Sequence, residues 1–70
     1  MPLNIVIHKP HRTFTVKEND INEINEKVYE ILTKNGINDE AAIDCASWCE
    51  LACDNESYNT DLFDVYVEAD

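Results

Sequence analysis

The chain predicts an α+β fold of order ββααβ: a small, mainly antiparallel three-stranded sheet with two helices packed on one face. Three observations carry this expectation. Residues 3–8 and 62–68 alternate apolar with polar side chains, the period of a half-buried strand. Residues 21–34 and 38–53 repeat with the helical period instead. At 70 residues the chain has room for a single domain, residues 1–70, around one core.

Taken in order, Leu3, Ile5 and Ile7 fall on one side of the first strand, and Asn4, Val6 and His8 on the other. Lys9-Pro10-His11-Arg12 reads as a turn, because proline fixes φ and lacks a backbone donor. Residues 13–16, β-branched and aromatic, close a hairpin and add Phe14 and Val16 to the apolar face. Asp20 with Glu23 three residues later has the form of a capping box. The helix that follows places Ile21, Ile24, Val28, Ile31 and Leu32 on one arc. Its wet side has Glu23–Lys27 and Glu30–Lys34 at the spacing of favourable pairs. Asn35-Gly36 ends it, with Gly36 as the left-handed residue and Ile37 as its apolar follower.

Asn38 caps the second helix, and Asp39 and Glu40 favour its positive end. Ala41, Ala42, Cys45, Cys49, Ala52 and Cys53 share one arc, with Trp48 at its edge. Glu40, Asp44, Ser47, Glu50 and Asp54 lie opposite, and Ile43 and Leu51 project from the flanks of that acidic arc. Those two admit two readings: cover by a neighbouring loop or strand, or an apolar contact rimmed by carboxylates. Residues 54–61, DNESYNTD, read as a polar loop. The third strand then turns Phe63, Val65 and Val67 inward and Asp64, Tyr66 and Glu68 outward, and joins the hairpin. Its sheet leaves two free edges for pairing between chains.

No catalytic motif stands in the sequence, and the expectation is a protein that is not an enzyme. The three cysteines fall along one helix at spacings that do not suit a disulfide, so reduced thiols in the core are expected. No second ligand pair completes a zinc site, and no cation lies near to activate a thiolate. The loop 54–61 lacks the glycine and closing glutamate of a calcium-binding EF-hand loop. No metal and no cofactor are therefore expected. The opening MPLNIVIHKP has neither basic leader nor long apolar run, and no stretch is long enough to cross a bilayer, so the cytoplasm is the expected location.

Charge is the most unusual quantity. Five Lys and Arg stand against 15 Asp and Glu, a net of −10. Residues 1–17 hold Lys9, Arg12 and Lys17 and no acid, whereas residues 35–70 hold ten acids and no base. Such a field repels nucleic acid and anionic membrane and attracts a basic protein surface. The expected binding residues are Asp44, Glu50, Asp54, Glu56, Asp61, Asp64 and Glu68, with Tyr58 and Tyr66 as interleaved anchors. Carboxylates on a rigid frame can stand in for a row of phosphates. The alternative is a small regulatory or assembly module that meets its partner through Ile43 and Leu51 or a sheet edge. Two chains of this charge repel, so a homodimer is expected to form away from the acids, at the hairpin of residues 1–17.

The stretches NGINDEAA, ASWCELA and FDVYVE, within this size and charge, resemble small proteins encoded by phages and mobile elements. In character the chain is similar to the acidic anti-CRISPR proteins. That resemblance implies an inhibitor of a nucleic-acid-binding nuclease or effector that occupies its nucleic-acid site. It assigns no role to any single residue.

Overall fold

The computed structural model describes residues 2–69, and its elements run ββααββ. They are β1 (Leu3–His8), β2 (His11–Val16), α1 (Ile21–Lys34), α2 (Asp39–Leu51), β3 (Ser57–Asn59) and β4 (Phe63–Val67). The strands form one antiparallel sheet in the order β2-β1-β4-β3. The α+β class holds, but the expected three strands become four. The extra one, β3, comes from the stretch 54–61, where Tyr58 pairs with Val65. Three residues with one large side chain leave no alternation to read, and neighbouring β4 supplies the pairing.

Leu3, Ile5 and Ile7 of β1 and Phe63, Val65 and Val67 of β4 point to the same side and are all buried. Both helices cover that side: Ile24, Val28 and Leu32 of α1, and Ala42, Cys45, Ala46 and Cys49 of α2, complete the core. No polar or charged side chain is buried among the described residues. Small residues on α2 let it lie close to its neighbours, and Trp48 fills the space towards β3, its ring 5.4 Å from that of Tyr58.

Local chemistry sets the boundaries. The Asp20 carboxylate accepts the N–H of Asn22 at 2.8 Å and of Glu23 at 3.3 Å, which caps α1. The Glu23 side chain does not close a capping box; it shares a hydrogen bond with Glu18, and that bond raises its pKa. Of the two expected ion pairs on α1, Lys34 with Glu30 forms at 2.9 Å, while Glu23–Lys27 is absent among the described residues. At the other end, Gly36 takes φ +87°, the Gly36 N–H bonds Thr33 O and the Ile37 N–H bonds Leu32 O. This is the Schellman arrangement, and Ile37 is buried behind it. Asn38 caps α2 by accepting the Ala41 N–H at 2.8 Å.

Helix α2 ends two residues before the expected position 53. Ala52 is already extended at ψ 143°. The Cys53 N–H turns to the Glu56 carboxylate at 2.6 Å, and Asn55 takes φ 68°, a conformation asparagine tolerates. Cys53 is therefore exposed and lies outside the core where Cys45 and Cys49 are buried, which corrects the expectation that all three thiols pack inside. A hydrogen bond with Cys49, together with burial, pushes the Cys45 thiol up and holds it neutral.

A native sample should thus titrate one thiol quickly with a disulfide reagent and all three once denatured. Three fast thiols in native buffer would contradict this packing. Cys49→Ala should lower unfolding stability by about 1 kcal/mol or more through the cavity it leaves, as read from the urea midpoint.

Candidate functional site

The strand order turns a polarity of sequence into one of space. Strands β2 and β1 form one half of the sheet, with α1 packed beside β2. Strands β4 and β3 form the other half, with α2 held to it through Trp48 and Tyr58. Every Lys and Arg lies at or before residue 34, so the half built from α2, β3 and β4 carries carboxylates and no cation.

The expected binding residues divide over two surfaces. On the α2–β3 flank, Asp44 is exposed on the helix, Asp54 and Glu56 are exposed in the turn that leads to β3, and Asp61 is exposed at the β3–β4 hairpin tip. Thr60 fixes that tip, its hydroxyl accepting the N–H of Leu62 at 3.2 Å and of Phe63 at 3.0 Å. Tyr58 faces inward between Trp48 and Phe63, at ring separations of 5.4 and 6.1 Å, and burial raises its phenol pKa. Glu50 is half-buried and turned to α1, where it accepts the Asn25 amide at 2.7 Å.

The open face of the sheet holds the others. Asp64, Tyr66 and Glu68 stand beside the outward residues of β1. The Asn4 amide donates to Glu68, and the Asn4 oxygen accepts the Thr15 hydroxyl at 2.8 Å. His8 Nε2 lies 2.8 Å from Asp64 Oδ2, and the Tyr66 hydroxyl donates to the same oxygen at 3.5 Å. No row runs unbroken from α2 to Glu68. Asp61, whose carbonyl reaches His8, lies between the two groups.

In the sequence His8 is an outward strand residue, and with His11 it could supply imidazoles only across a turn; its partners here depend on a register that joins positions 56 residues apart. Its Nδ1 must carry a proton, because the Asp61 carbonyl, 3.0 Å away, can only accept. Nε2 faces a carboxylate and binds it well only when it too is protonated. The hydrogen bond to Asp64 therefore raises the His8 pKa above 6.5, reinforced by the Asp61 carbonyl. With both nitrogens engaged, the ring has none free for proton exchange with a substrate. Held at both nitrogens, the ring ties β1 to β4.

Beside it lies a cleft of about 310 Å³, with Ile7, Ile37 and Leu62 as apolar walls and His8, Lys9 and Asp61 as polar ones. That volume is at the lower end for small-molecule sites, and it suits one inserted side chain. Ile43 and Leu51 are uncovered, with 53% and 85% of their surface exposed. Among the described residues no three His, Cys, Asp or Glu side chains gather closely enough to hold a metal ion, and no helix is long and apolar enough to cross a membrane.

The His8 pair generates a pH dependence with a definite sign. A folded-state pKa above 6.5 gives a stabilisation fully present below 6.5 and lost as pH rises through the folded value. NMR titration should place the His8 midpoint above that of His8 in Asp64→Asn, and the variant should lose this part of the pH dependence of the urea midpoint. Equal midpoints in the two proteins would contradict the pair. Neither a family model, nor a curated protein, nor a solved structure matches this chain.

Proposed function

We propose that this is a non-enzymatic inhibitor, of the anti-CRISPR kind, acting in the host cytoplasm on a nuclease or another nucleic-acid-binding effector. Its carboxylate-rich side occupies the partner's basic groove in place of nucleic acid. One observation carries the reading: the half formed by α2, β3 and β4 has no cation, and its exposed acids are displayed on a rigid frame. Asp44, Asp54 and Asp61 matter most. Among the described residues, no hydrogen bond or ion pair engages their carboxylates, so each can turn to a partner without breaking an internal bond. Tyr66, 43% exposed on the open face, is the anchor available to a partner, because Tyr58 faces inward between Trp48 and Phe63.

The exposure of Ile43 and Leu51 favours a second reading. Here the chain is a small regulatory module whose partner covers this apolar stripe on α2, with Asp44 as part of the rim.

The two readings differ in their response to salt. Mimicry of phosphates requires affinity for a basic effector to fall steeply with ionic strength and to be lost when guide or DNA fills the groove. Asp44→Lys, Asp54→Lys and Asp61→Lys together should weaken binding about tenfold or more. Tyr66→Ala should weaken it with the fold unchanged. Binding indifferent to salt and nucleic acid, but abolished by Ile43→Ser with Leu51→Ser, would establish the second reading and end the first.

A further inference from the structure

We infer that two copies of this chain join through the free edge of β2, pairing antiparallel about a two-fold axis to fuse two four-stranded sheets into one. This inference rests on the opposite side of the molecule from the acidic flank and stands whether or not that flank binds an effector.

The backbone supplies the first argument. β2 ends the sheet, and its register with β1 runs unbroken through six pairs. The His8 N–H donates to Leu62 O at 3.0 Å and the Glu68 N–H donates to Pro2 O at 3.0 Å, so even-numbered residues of β1 direct their backbone groups to the β4 side. Odd-numbered residues then serve β2, where Ile7, Ile5 and Leu3 face Arg12, Phe14 and Val16. By the same alternation His11, Thr13 and Thr15 turn their N–H and C=O groups outward, where no strand meets them. β2 lacks three of the features that protect an edge: it is not short, contains no proline and shows no bulge, and Arg12 is its one Lys or Arg. The other edge, β3, is three residues long and follows the left-handed turn at Asn55.

Side chains set the register. Phe14 is only partly buried, and Ile21, in the first turn of α1 beside β2, is 53% exposed. An axis at Phe14 brings the two Phe14 rings together in a non-hydrogen-bonded pair, the closest side-chain approach in a sheet. Thr13 then bonds Thr15 of the second copy through the backbone. Arg12 falls opposite Val16, with Glu18 two residues further along the second copy and within reach of the guanidinium.

Charge selects this edge. Residues 1–17 carry three cations and no acid, so two chains of net charge −10 that meet here keep their acid-only regions, residues 35–70, away from the contact. Across the joined sheet the two β4 strands stand five strand spacings apart, about 24 Å, well beyond a screening length of about 8 Å. Contact through β3 would instead crowd Asp54, Glu56 and Asp61 of both copies. Pairing β2 with β3 of another copy satisfies charge, but it offers only a three-residue strand and never closes.

Sedimentation equilibrium on the full chain tests this. Wild type should reach twice its 8.0 kDa as concentration rises and go no higher. Thr13→Pro removes an outward N–H that β1 does not use, so it should stay at 8.0 kDa with an unchanged circular dichroism spectrum. Thr13→Lys with Thr15→Lys should be monomeric as well, and it decides the matter if the proline variant does not fold. A wild-type mass of 8.0 kDa at every concentration, a mass that grows without limit, or a dimer that survives the lysine pair would each overturn the inference. A monomer of unaltered, salt-dependent affinity for an effector would overturn it while leaving the proposed function intact.

Discussion

Everything in this molecule depends on β1. It has a strand on each side, as β4 does, and joins the N-terminal hairpin to the C-terminal one; its inward residues Leu3, Ile5 and Ile7 are 0%, 0% and 2% exposed. Each such side chain contributes roughly 1.5–3 kcal/mol by burial, against a net stability of about 5–15 kcal/mol for ordinary domains. Three positions on one strand are therefore a large share of what a chain this small can gather. The acids are compatible with so small a core because none of them enters it. Charge lies on the outer surface, where water screens it, and the interior is made of aliphatic residues, alanine, cysteine and one phenylalanine.

The same strand is the seam between the half that holds every Lys and Arg and the half that holds none. β4 returns beside β1, so a strand from the stretch without Lys or Arg meets one from the stretch that holds them all. On the open face the seam is joined twice, by Asn4 with Glu68 and by His8 with Asp64. Those contacts use acids of one half to satisfy donors of the other. They also explain why the outward residues of β4 differ from those of the flank: Asp64 and Glu68 already have partners, whereas Asp44, Asp54 and Asp61 face solvent.

Much of this was legible in the sequence, because most elements announce themselves by period or cap. The alternation in β1 and β4, the Asp20 and Asn38 caps and the Asn35-Gly36 stop each correspond to a contact in the structure. What escaped has a common cause. β3 is too short to show a period and exists because β4 offers it a ladder. The end of α2 was set by competition from the Glu56 carboxylate for the Cys53 N–H, which periodicity does not register. The division of the acids into a flank and a face follows from register. Tyr58 pairs with Val65 and so faces the helices, while Tyr66, one position along β4, faces water. Two tyrosines in an acidic stretch look alike until the sheet assigns their sides.

The geometry also separates the two surfaces to which roles are assigned. The free edge of β2 and the acidic flank of α2 and β3 lie at opposite ends of the strand order, so occupation of one does not obstruct the other. A pair of chains joined at β2 therefore presents two acidic ends, turned away from each other and held by a single rigid sheet. Such a body meets two basic sites at once only if they lie at matching separation and orientation, and then the second contact forms at a high effective concentration. If the partner offers a single groove, joining adds nothing to affinity. It still removes the cationic edge from solution, so that each exposed end is acidic and neither attracts the other.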